Sequence, residues 1–141
     1  MAVLGISASA MTEGQDRIGQ RARTDFLLHC SGCHGMDGMG KPEKGIPRFR
    51  DQIGHFLQLP DGRAFIMQVP GLLSARLPDD RAAAVTNWLV REFAGPSMPA
   101  GATLMSAEEA RQYRESRPAD IMAKRDMLYR KLSEVGYAIE P

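Results

Sequence analysis

The sequence is short of cysteine, of aromatic residues, of long apolar runs and of any excess of charge. Its two cysteines, Cys30 and Cys33, are too few and too close together for a disulfide framework, which spreads more of them widely along a chain. The 18 basic residues nearly cancel the 17 acidic ones, and a net charge of +1 speaks against a nucleic-acid binder, which wants a concentrated basic face. No segment approaches the about 20 apolar residues of a membrane span. Aromatics make up only 6% of the chain and Trp88 is the single Trp, so a conventional core would be thin for 141 residues. What is present, 43% hydrophobic and 25% charged residues, is the balance of one globular domain with room for an appendage.

The periodicity is helical throughout and predicts an all-α fold. Residues 1–10, MAVLGISASA, end in the small-x-small pattern Ala8-Ser9-Ala10 without a positive n-region; they are expected to be a residual export signal or a disordered leader. Ile18, Ala22, Phe26 and Cys30 recur at a four-residue step and predict a first helix over 16–33. The glycine-rich stretch 35–50, with Pro42 and Pro47, predicts a loop without regular structure. A helical turn is expected over 51–59 and a short helix over 63–69, stopped by Pro70-Gly71. Pro78-Asp79-Asp80 opens the strongest helix, with Ala82, Val85, Trp88, Leu89 and Phe93 on its apolar face. Residues 95–101 read as a linker. Beyond it, Ser106-Ala107-Glu108-Glu109 is a capping-box pattern, and a last helix over 120–135 carries Ile121, Leu128, Leu132 and Val135. The basic run Lys124-Arg125 with Arg130-Lys131 reads as a solvated face of that helix, with a docking patch as the sharper alternative.

The one chemical motif is Cys30-Ser31-Gly32-Cys33-His34. Its spacing lets both thiols add across the two vinyl groups of one haem while the adjoining imidazole reaches the iron from the same side. A thioredoxin-like dithiol pair belongs in a strand-and-helix unit, whereas a helical stripe precedes Cys30. A structural zinc site needs four protein ligands, and only His29, His34 and His55 are there to complete one. The motif is therefore read as the attachment site of one covalent haem c. Such a large apolar group would also serve as core in a chain poor in aromatics.

From about residue 14 to 93 the sequence resembles a class I (mitochondrial-type) c-type cytochrome domain. The likeness rests on Ala22 and Phe26 eight and four residues before the first Cys, and on the run His34-Gly35-Met36-Asp37-Gly38-Met39-Gly40. Pro47 and Trp88 follow in the family's order. The resemblance implies a small helical bundle around the haem over 11–94, with His34 as proximal ligand. It further implies that the Pro47 carbonyl supports the His34 ring and that Trp88 packs across the first helix. Residues 95–141 lie outside it and are expected to be a linker and a two-helix extension docked on the domain or on a partner.

The departure from the family lies on the distal side. The loop that normally supplies a Met ligand is here Pro70 to Pro78, with no Met, His, Lys or Tyr. His55, Met98 and Met67 are the candidate substitutes; their plainer readings are a loop histidine or propionate neighbour, a linker residue and core filler respectively. The remaining option is no ligand, with a five-coordinate iron behind Leu72, Leu73 and Leu77. The implied function is one-electron transfer in the periplasm, without enzymatic activity of its own, from a dehydrogenase to an oxidase or another cytochrome. A haem-based gas sensor and a fixed subunit of a dehydrogenase complex are the alternatives.

Overall fold

The computed structural model describes residues 8–140, so most of the expected leader, residues 1–7, lies outside the described residues. Within them the fold is all-helical: seven α-helices joined by short 3-10 turns, with no strand beyond an isolated bridge between Lys41 and Ile46. No helix among the described residues is long and apolar enough to cross a membrane.

Helix α1 (Ala8–His29) begins earlier than the expected residue 16, because nothing between Ala8 and Asp16 breaks a helix, and it includes Ala8-Ser9-Ala10. Its first half projects beyond the bundle and Ile18 is exposed, so the apolar stripe starts at Ala22 and Phe26, both 1% exposed. This face crosses α5 (Asp79–Phe93), where Phe26 meets Trp88 at 5.2 Å and Phe93 at 5.3 Å between ring centroids. The crossing is locked beside these rings by Asp25, a buried carboxylate that accepts two hydrogen bonds from the Arg81 guanidinium. Asp79 and Asp80 occupy the first turn of α5, where carboxylates suit the helix dipole.

At Cys30 the first helix breaks (φ −123°) and α2 (Ser31–His34) continues as a separate turn. The loop after it holds Gly35, Gly38, Gly40 and Gly45 at positive φ and contains a 3-10 turn, Pro42–Lys44, that the sequence pattern does not announce. A 3-10 turn over Ile53–Gln58 leads into α3 (Pro60–Ile66), which Pro60 starts three residues before the expected position. The segment read as a bare loop contains α4 (Pro70–Ser74), opened by Pro70.

The C-terminal extension is docked on the bundle. Its leading segment is held by a reciprocal pair of bonds to α5: Asn87 Nδ2 donates to the Met105 carbonyl at 2.9 Å, and Met105 N–H donates to Asn87 Oδ1 at 2.7 Å. Helix α6 (Ala107–Glu115) starts with the expected capping box from Ser106 and Glu109, and packs on α5 through fully buried Ala110. Helix α7 (Ile121–Glu134), capped by Asp120, buries Ile121, Leu128 and Leu132 against α3 and the 53–58 turn. Val135, expected on that face, is exposed just past the helix end. Gln68, 2% exposed, ties these parts together. Its amide donates to the Tyr113 carbonyl and accepts from Lys124 Nζ, both at 2.7 Å, and its carbonyl accepts from Arg117 Nε.

Candidate functional site

The helices enclose a mainly apolar cavity of about 280 Å³. Cys30, Cys33 and His34 form part of its wall, together with Pro47, Arg48 and Phe49 from the glycine-rich loop. Ile53 and Phe56, Phe65 and Ile66, Leu72, and Val85, Thr86 and Leu89 continue it along the 53–58 turn, α3, α4 and α5 in that order. Ile121, Met122, Arg125 and Tyr129 of α7 complete it.

The short α2 turn brings both thiols and the imidazole to one cavity. Neither thiol is in a disulfide. Burial, with smaller contributions from Asp25 and Cys33, pushes the half-buried Cys30 thiol up to about 11. His34 Nδ1 lies 3.1 Å from the Pro47 carbonyl, which can only accept, so Nδ1 carries the proton and Nε2 keeps a free lone pair. Burial lowers the His34 pKa despite the opposing effect of that bond, favouring the neutral imidazole. The ring also stacks on Phe49, 4.0 Å between centroids.

The glycines of the loop make this bond possible. Gly40 has φ +64°, its N–H donates to the His34 carbonyl at 2.7 Å, and a Cβ there would sit 2.5 Å from the Pro47 oxygen. Gly45 has a comparable φ of +76° but open space around it. Gly45→Ala is therefore expected to cost only the left-handed backbone penalty, about 1–3 kcal/mol. Gly40→Ala should cost distinctly more, because Pro47 must also move. Equal losses in urea unfolding would show that the close approach of Gly40 to Pro47 has no energetic role.

Of the residues nominated as distal ligands, none lines this cavity. His55 stacks on Tyr137 at 4.1 Å, with its Nδ1 buried and without a hydrogen-bond partner. Met67 is 1% exposed and stands behind Thr86, whose hydroxyl donates to its sulfur at 3.3 Å. Met98 lines a second cavity of about 240 Å³, under the segment that leads to α6. Of the three leucines named with an open iron, Leu72 lines this cavity, while Leu73 is exposed and Leu77 is buried elsewhere.

Sequence reasoning missed Arg48, Met122, Arg125 and Tyr129. The four-residue step from Ile121 through Arg125 to Tyr129 places these three on one helical face, but Arg125 sits in a basic run that reads as solvated. Arg48 and Arg125 have a shared peculiarity: the Nε of each is buried without a hydrogen-bond partner. A buried donor without a partner is costly and rare in folded proteins.

Among the described residues, no group of three or more His, Cys, Asp or Glu side chains is placed to hold a metal ion by itself. The cavity wall instead offers two thiols outside any disulfide and one imidazole among largely apolar side chains. Comparison with protein-family models, curated proteins and solved structures finds no match to this chain.

Proposed function

We propose that this chain is a mono-haem c-type cytochrome that transfers single electrons. The observation that carries the reading is the α2 turn: Cys30, Cys33 and His34 line one apolar cavity, and the Pro47 carbonyl fixes His34 in the tautomer that leaves Nε2 free. Arg48 and Arg125, two cationic residues of the same wall, suit a group bearing two carboxylates. Bound haem would supply a one-electron iron couple. The residues would supply the rest: thioether links at Cys30 and Cys33, proximal ligation by His34, and exclusion of water by Phe56, Phe65, Leu72 and Leu89. The proposed setting is the periplasm, with a dehydrogenase as donor and an oxidase or second cytochrome as acceptor.

Co-expression with a haem-attachment system tests this. The expected product keeps haem through denaturing electrophoresis, and the Cys30→Ser/Cys33→Ser double variant loses it. A wild-type chain without covalent haem under those conditions sinks the reading.

A second reading, gas binding at an open distal position, is favoured by the absence of His55, Met67 and Met98 from the cavity wall. The methionine in that wall is Met122, 47% exposed on α7. Carbon monoxide separates the two readings. A reduced spectrum that the gas leaves unchanged, but shifts in Met122→Ala, assigns Met122 as the sixth ligand and an electron carrier as the function. A shift in the wild-type protein assigns the open site.

A further inference from the structure

We infer that α7 is a working wall of the haem site, and that Arg125, together with Arg48, holds the haem propionates. The inference rests on the haem reading above and extends it to the part of the chain that the family resemblance does not cover.

Three observations carry it. First, α7 packs on α3 and the 53–58 turn, while the attachment residues sit on α2 and at the break just before it; both groups line one cavity. Second, Arg125 is drawn toward that cavity against its ordinary preference for water. Its side chain is 21% exposed, its guanidinium lies 5.5 Å from the Tyr129 ring centroid, and its Nε is buried without a hydrogen bond. The nearest carboxylate, Asp126, stands at 3.7 Å from Nε, too long for a hydrogen bond and largely in solvent. Third, Arg48 repeats the pattern from the glycine-rich loop: its Nη1 pairs with the exposed Glu140 carboxylate at 3.0 Å, while its Nε is left buried and unpaired.

Arg48 and Arg125 both line the cavity, and neither guanidinium is fully paired within the protein, the Nε of each being buried without a partner. Haem carries two carboxylates, and a guanidinium fork is the side chain best shaped to take one. Arg125 has the poorer protein partner of the two, so its assignment to a propionate is the stronger.

The reduction potential of the haem-loaded protein tests the inference. Removing a positive charge beside the haem stabilises the ferric state, so Arg125→Met should lower the potential. Arg125→Lys, which keeps the charge, should restore most of the loss. Arg130→Met, an exposed arginine on the same helix, serves as control and should shift it less. A clear ordering of Arg125→Met below Arg130→Met, with rescue by Lys, supports the clamp. Equal shifts, or none, in haem-loaded protein overturn the inference and leave the cytochrome reading intact. A chain that takes no haem overturns both.

Discussion

Leu128→Ala is expected to destabilise the protein by about 2–5 kcal/mol. Leu128 is fully buried, and its neighbours on α3 and the 53–58 turn are held by other contacts, so the cavity left behind cannot collapse freely. Against a typical total of about 5–15 kcal/mol this is a large fraction. The effect should reach the site as well, because Arg125 and Met122 stand one and two turns earlier on the same helix. Urea unfolding of Leu128→Ala against Leu104→Ala, whose side chain is 59% exposed, makes the comparison. If both variants unfold at the same midpoint, α7 does not dock as described, and its place in the cavity wall falls with it.

Phe26→Ala should cost about 3–5 kcal/mol. Phe26 is 1% exposed and contacts both Trp88 and Phe93, and such aromatic pairs add about 0.5–1.5 kcal/mol beyond the area they bury. It joins α1 to α5 a single turn before Cys30, so its loss should loosen the attachment turn along with the bundle. Trp88, the single Trp, reports on the contact directly. Its fluorescence should change in native Phe26→Ala, and the unfolding midpoint should fall. A variant with wild-type fluorescence and midpoint would show that the α1–α5 crossing does not depend on this ring.

The elements legible in the sequence are those set by nearby residues. The apolar face of α5 and the capping box at Ser106 each need only a few neighbouring side chains. The break at Cys30 and the five-residue α4 were not legible, because neither is long enough to show a period. Nor was the anchoring of the chain beyond residues 95–101: Asn87 clips Met105 through a pairing between distant segments that no local pattern encodes.

The candidate site divides in the same way. The Cys30, Cys33 and His34 cluster is a matter of adjacent residues on one turn, so sequence alone determined it, and with it the all-helical character of the chain. The family resemblance further implied the Pro47 support, which the structure places at 3.1 Å from the imidazole. The α7 part of the wall was decided only by tertiary structure. Packing keeps His55, Met67 and Met98 out of the cavity and brings Met122 and Arg125 in from a helix about 90 residues further along the chain. Of the basic run, Arg130 and Lys131 are exposed as expected, while Lys124 and Arg125 are half-buried. What separates them is which side of α7 meets the bundle, and Ile121, Leu128 and Leu132 decided that by burying themselves.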